Sequence, residues 1–283
     1  MSEPSDRSRD ARERFRALVE RSEDSLDVAE AALWIAAEAR PELDVPHYLA
    51  RLDEFAELAR PVVEGASDDP GRVAGLNDVV FGGLGFRGNQ EDYYDVRNSF
   101  LDQVIERRCG IPITLCVVYT EIARRLDLRA VGIGFPGHFL ASVAGSGDDD
   151  GIVVDAFAGS VVTREVCGER LRAAVGSDAQ LAQALRASRP KEILLRMLSN
   201  LKHLHVERDD FEAALACCDR ALLLDSENPL ELRDRGLVHQ RLECFGPAVA
   251  DLERFLELAP RHESADTVRH ALGPLRSRAR RIH

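Results

Sequence analysis

The chain has 283 residues, 45% of them apolar and 30% charged, the make-up of an ordinary globular protein with room for a large core. Its formal net charge of −12 excludes general affinity for nucleic acid or anionic membrane. No run of about 18 apolar residues is present, so no membrane span is expected. No signal-like apolar stretch follows Met1, which makes the cytoplasm the expected compartment.

Residues 1–10 are polar and read as disordered. Apolar positions then recur at helical spacing over residues 10–21, 26–39 and 48–60, with Pro61 predicted to end the third helix. Asp68-Asp-Pro-Gly reads as a turn. A glycine-rich stretch from Val79 leads into a polar cluster of Arg87, Asn89, Tyr93, Tyr94, Asp95, Arg97 and Asn98. Ser99 is the predicted N-cap of a helix over 100–107, closed by Cys109-Gly110. Pro112 suits the first turn of the next helix, 112–126, because its missing N–H costs nothing there. Strand-like runs follow at 130–134, 138–143 and 152–155. Gly145-Ser-Gly-Asp-Asp-Asp-Gly between the last two reads as a solvated hairpin loop without calcium-loop spacing.

From Pro190 the pattern is helical again and repeats. His205 matches His239, Phe211 matches Phe245, Ala214 matches Ala248 and Ser226 matches Pro260, each 34 residues apart. That period is the tetratricopeptide signature. Gly236 fills the small-residue position of the second copy, where the first copy has Lys202. Two copies are fewer than the three usually needed, so they are expected to pack on the preceding core and the last helix. The tail from Arg276 to Arg281 is basic and reads as a solvated helix end.

The six cysteines, 109, 116, 167, 217, 218 and 244, form no C-x-x-C pair and no zinc-spaced cluster. Reduced thiols and no metal or cofactor are the expectation.

The order helix start, His138, Asp155 is that of a thiol acyl-transfer site. Such sites place a cysteine at a helix N-terminus, a histidine to move its proton and a carboxylate to orient the ring. His138 and Asp155 lie 17 residues apart across a predicted hairpin.

Several segments in order resemble one family. Ile105-Glu-Arg-Arg-Cys-Gly-Ile-Pro-Ile-Thr-Leu-Cys116, Phe86-Arg-Gly-Asn89, Tyr93 through Leu101, Phe135-Pro-Gly-His-Phe-Leu140 and Val153-Val-Asp-Ala-Phe157 are similar to the transglutaminase-like core of the SirB-type proteins. The resemblance spans roughly residues 24–260. It implies an α+β, mostly helical protein in which a papain/transglutaminase-like core follows a helical segment and precedes tetratricopeptide helices. The expected divisions are 1–23, 24–75, 76–188, 189–263 and 264–283. The resemblance implies no particular reaction.

Against catalytic relatives of this core, which carry Gly-x-Cys at the helix start, Gly110-Ile-Pro aligns the nucleophile with Pro112. His138 and Asp155 match the other two members. Cys109 lies three residues before the slot and Cys116 four after it. Cys116 falls deeper on the helix, where burial raises a thiol's pKa. Cys109 is the better displaced nucleophile.

The reading favoured is a non-catalytic regulatory module. It binds a protein or peptide through the repeat groove or the core cleft, where Arg87, Asn89, Tyr93, Asp95, Arg97 and Asn98 are the candidate contacts. The alternative is a protease, amidase or acyl transferase using Cys109, His138 and Asp155. A regulator acting near nucleic acid through the basic tail is disfavoured by the net charge.

Overall fold

The structure, a computed structural model, describes residues 6–144, 151–176 and 181–280. The predicted loop at 145–151 and the tail residue Arg281 therefore lie wholly or mostly outside the described residues. The chain divides into two compact units, Ser5–Met197 and Leu198–His283.

The first unit opens with α1 (Asp6–Val19) and α2 (Val28–Ala39). The helix expected from residue 10 begins at Asp6, because Ser8, Ala11 and Phe15 are already buried and outweigh the polar make-up of the first turn. Asp27 caps α2 by accepting from Glu30 N at 2.9 Å. Helix α3 (Val45–Gly65) does not stop at Pro61. The proline removes one ladder donor, but Val63 beyond it is buried and holds the last turn. Asp68-Asp-Pro-Gly is not a free turn but the start of α4 (Asp69–Asn77). Asp68 accepts from Gly71 N at 2.8 Å, and Pro70 occupies the first turn.

A π-helical turn, Asp78–Gly83, follows. Strand β1 (Arg87–Gly88) pairs in parallel with β2 (Cys109–Gly110). Cys109-Gly110 is thus a strand, and Arg108, in the left-handed region at φ 56°, closes α5 (Leu101–Arg107). Ser99 does not cap α5. It ends a 3₁₀ turn, Val96–Ser99, with its hydroxyl buried and unpartnered, and Phe100 takes the N-cap position.

Helix α6 (Pro112–Arg124) is buried from Pro112 through Ala123 and packs on α3 and on two strands, β3 (Arg129–Ile133) and β4 (Leu140–Ala144). These join β5 (Ile152–Asp155) and β6 (Ser160–Val161) in an antiparallel sheet ordered β3-β4-β5-β6. Two helices that the sequence reading passed over, α7 (Arg164–Val175) and α8 (Leu181–Ala184), come next. Buried Cys167 and Leu171 of α7 pack with Ile133, Phe135 and Leu140.

Helix α9 (Pro190–Glu207) carries the chain into the second unit. There α9 and α10 (Phe211–Leu224) are followed by a second pair, α11 (Pro229–Arg241) and α12 (Phe245–Leu258). Phe211 and Phe245 open the second helix of each pair, and Ala214 and Ala248 are fully buried in both. The 34-residue correspondence is therefore structural. The last helix, α13 (Ala265–Ala279), sets Val268, Leu272 and Leu275 against Phe245, Leu252 and Phe255. The basic tail is tied down on this surface. Arg276 binds Glu253 at 2.6 Å, and the Arg278 guanidinium lies 5.5 Å from the Phe245 ring centre. Among the described residues, no helix is long and apolar enough to cross a membrane.

Candidate functional site

His138 does not lie in a strand as its spacing predicts. It sits in the turn before β4, where its N–H donates to Phe135 O at 3.0 Å and Gly137 takes a φ of 70°. Its carbonyl accepts from Arg196 Nη2 at 2.8 Å. The ring reaches Asp155, the last residue of β5, with Nε2 and Oδ2 2.8 Å apart. The expected pair is therefore formed.

Asp155 has more partners than His138. Its Oδ1 accepts from Phe157 N at 3.1 Å and Ala158 N at 3.0 Å, and its Oδ2 also accepts from Arg170 Nη1 at 3.0 Å. Burial alone pushes this carboxyl's pKa up. The His138 ring, the Ala158 N–H and the Arg170 guanidinium outweigh burial and hold it at about 2. With Asp155 ionised, its Oδ2 is the acceptor of this bond and Nε2 the donor.

This pair opens on a cavity of about 500 Å³ lined by Phe135, His138, Asp155, Arg170 and Ala173. Among the described residues, neither Pro112 nor Cys109 lines it. Pro112 is the first residue of α6 and is buried. Thr114 fastens this helix start. Its hydroxyl lies 2.8 Å from Asn98 O, and it accepts from Ile111 N at 3.2 Å. Cys116, one turn deeper, is buried and donates to Leu140 O at 3.2 Å. Burial pushes its thiol well above the ordinary range, as its depth on the helix suggests.

Cys109 opens on a different cavity, of about 640 Å³, with Arg87, Asn89, Asp95, Arg107 and Phe157. The Phe157 ring stands against both places. It lines the Cys109 cavity and meets the His138 ring edge-on, with centroids 6.3 Å apart. Its carbonyl accepts from Gly88 N at 3.2 Å, so β1 lies between the Phe157 backbone and β2.

The polar cluster spends most of its hydrogen bonds on itself. Asn98 is fully buried. Its amide donates to Asp92 O at 2.7 Å and Tyr93 O at 3.2 Å, while its Oδ1 accepts from Asn89 at 3.0 Å and Arg107 at 3.3 Å. Asp95 accepts from Arg97 N at 3.0 Å and pairs with the Arg97 and Arg107 guanidinium groups at 2.7 and 3.3 Å. Those bonds bring its pKa down against burial. Arg87 is exposed on β1. Tyr93 and Tyr94 are exposed, and Tyr93 continues the ring contacts from His138 and Phe157 outward, 6.0 Å from Phe157.

Arg170, Arg107 and Arg196 take part in this site and were not singled out from the sequence. Arg170 had a readable signal: Thr163 caps α7 by accepting from Val166 N, and Arg170 follows within that helix. Its spacing to Asp155 carries no such hint.

In the second unit a groove of about 500 Å³ runs between α9 and α11. Gly236 is held small because a Cβ there would meet Leu252 Cγ at 2.7 Å. At the matching position Lys202 is buried and bonded to Glu231 and Asp234, both at 2.7 Å.

The comparisons agree with this division. Residues 46–199 match the transglutaminase-like superfamily, and residues 201–273 match the tetratricopeptide repeat. A UPF0162 protein of Xylella fastidiosa (strain Temecula1) is 39% identical over 92% of this chain and 94% of its own length. A UPF0162 protein of Vibrio cholerae is 32% identical over 89% and 93%. Protein SirB1 of Salmonella typhimurium is 26% identical over 83% and 88%. With the transglutaminase-like match over residues 46–199 and relatives of 39% and 32% identity over most of both chains, the chain belongs to the transglutaminase-like family of SirB1 and the UPF0162 proteins.

Proposed function

We propose that this protein is a non-catalytic member of its superfamily, a pseudoenzyme that binds a protein or peptide and acts as a regulatory module. The carrying observation is the distribution of thiols around the His138–Asp155 pair. Proline occupies the start of α6, Cys116 is buried with a raised pKa, and Cys109 opens on a separate cavity beyond Phe157. Proline also removes one N–H from the first helical turn, which weakens any oxyanion hole there. With proline at the helix start, and with Cys116 and Cys167, the thiols that feel the Asp155 charge, both buried and raised in pKa, the histidine and carboxylate suit recognition better than turnover.

The repeat groove supports the same reading, because paired helices of this kind generally mediate protein contacts. The core surface presented by Arg87, Tyr93 and Arg97, which the buried Asn89, Asp95 and Asn98 hold in place from beneath, is the second contact region in this proposal. None of the six cysteines is in a disulfide, which agrees with action in the cytoplasm.

The intact His138–Asp155 bond is the one observation that favours the rival reading, a hydrolase or transferase using Cys109. Labelling with an electrophilic acyl probe, in the wild type and in His138→Ala, separates the two.

A further inference from the structure

The cavity of about 640 Å³ beside Cys109 carries charges of both signs that the fold leaves unanswered. Among the described residues, the Arg87 guanidinium makes no hydrogen bond or ion pair, and Glu91 and Asp92, which line the same cavity, make no ion pair either. All three side chains are exposed. The remaining charged groups of the lining are already committed. Asp95 is shared by Arg97 and Arg107 at 2.7 and 3.3 Å, and Arg107 also donates to Asn98 at 3.3 Å. Gln90 adds an exposed amide that can donate or accept.

Backbone bonds fix the segment that bears the unanswered charges. The Arg87 N–H donates to Arg108 O at 2.9 Å, the Gly88 N–H to Phe157 O at 3.2 Å and the Asn89 N–H to Gly110 O at 2.9 Å. Buried Asn89 then accepts from the Asp92 N–H at 3.0 Å. A segment ordered in advance loses less conformational freedom when a ligand arrives. A lone carboxylate would meet Arg87 with two acids beside it, and a lone ammonium would meet the acids with Arg87 beside it. A ligand carrying both groups answers all three charges. The Phe157 ring and Ala158 give its stem an apolar wall, in a volume of the size that small-molecule sites have.

We infer that this cavity binds a small ligand in which an aliphatic stem joins a carboxylate to an ammonium, the carboxylate at Arg87 and the ammonium at Glu91 and Asp92. Lysine has this chemistry, free or as the last residue of a peptide. The inference rests on the binding-module reading and names the ligand of its core contact region.

The test uses the full chain and follows alkylation of Cys109 by iodoacetamide, a neutral reagent. Mass spectrometry separates Cys109 from half-buried Cys244, the internal reference. Glycyl-glycyl-lysine at about 10 mM, against an expected Kd of about 1 mM, is expected to slow Cys109 about tenfold and to leave Cys244 unchanged. Free lysine at the same concentration distinguishes an amino acid from a chain end, and protection by either supports the inference. Protection is expected to be lost with glycyl-glycyl-lysine amide, in Arg87→Gln, and in Glu91→Gln combined with Asp92→Asn. Those side chains are exposed and make no ion pair, so the variants are expected to keep native circular dichroism and unfolding midpoints.

Equal protection by the acid and the amide overturns the inference. So does protection that survives Arg87→Gln, or no protection by either ligand. A Cys109 that iodoacetamide never reaches in the native protein also overturns it, because the cavity then admits no small ligand. Absent protection with labelling indifferent to His138 sinks this inference and leaves the module reading standing. His138-dependent acylation of Cys109 sinks both, because the cavity then takes an acyl substrate.

Discussion

His138 and Arg170 meet at the same oxygen of Asp155, Nε2 at 2.8 Å and Nη1 at 3.0 Å from Oδ2. A carboxylate that only orients a catalytic imidazole does not need a guanidinium as well. With two backbone donors on the other oxygen, Asp155 ties β5, the turn before β4 and α7 into one frame.

That frame has a definite pH dependence. The Asp155 pKa is depressed to about 2 in the fold. A depressed carboxyl contributes stability that is present above its unfolded value and lost as pH falls through the folded one. The contribution is about 2 kcal/mol at neutral pH and disappears between about pH 4 and about pH 2. Asp155→Asn is expected to lose about that much stability and to flatten the acid limb. Urea unfolding across this range reads both effects, and an unchanged acid limb would contradict the assignment.

Part of this site was legible in the sequence and part was not. The spacing of His138 and Asp155 across a hairpin, and Pro112 at a helix start, depend on local chain geometry that a sequence carries. The pairing of Cys109 with Arg87 does not, because a two-residue parallel ladder is set by tertiary packing. Asp68-Asp-Pro-Gly misled for a physical reason: an aspartate cap followed by proline starts a helix with the same residues that make a turn. Pro61 misled because burial beyond it outweighs one missing hydrogen bond. The repeat was legible throughout, since a fixed period of 34 records the same packing twice.

Lys202 replaces a small residue with a buried cation held by two carboxylates. Burial lowers its pKa, but Glu231 and Asp234 more than offset this and raise it. Lys202→Ala leaves the buried Glu231 carboxylate without its lysine and Asp234 with Arg233 alone, and is expected to cost about 3 kcal/mol. Lys202→Met combined with Glu231→Gln is expected to recover part of that loss. Equal losses in the single and double variants, by thermal or urea unfolding, would argue against the pairing.

Arg108 closes α5 at φ 56°, and its guanidinium lies 4.1 Å and 4.8 Å from the Phe55 and Phe86 ring centres. Arg108→Ala loses those ring contacts and keeps the left-handed backbone, at an expected cost of about 2 kcal/mol. Arg108→Gly loses the same contacts but relaxes the backbone, so it is expected to be more stable than the alanine variant by about 1 kcal/mol. The reverse order would show that backbone strain at this position is negligible.

Cys116 and Cys218 are buried, and burial raises both thiols. Neither is expected to react with an aromatic disulfide reagent in the native protein at neutral pH, and both are expected to react in denaturant. Rapid native reaction at Cys116, located by peptide mapping, would show that the α6 interior is open to solvent.

The central claim is that no thiol in this core is driven by His138. The most direct measurement is mass-spectrometric labelling of the native wild type and His138→Ala by an electrophilic acyl probe, followed over time. The expected result is slow, incomplete labelling that is the same in both proteins. Stoichiometric labelling at Cys109 that disappears in His138→Ala would contradict the claim and make the protein an enzyme.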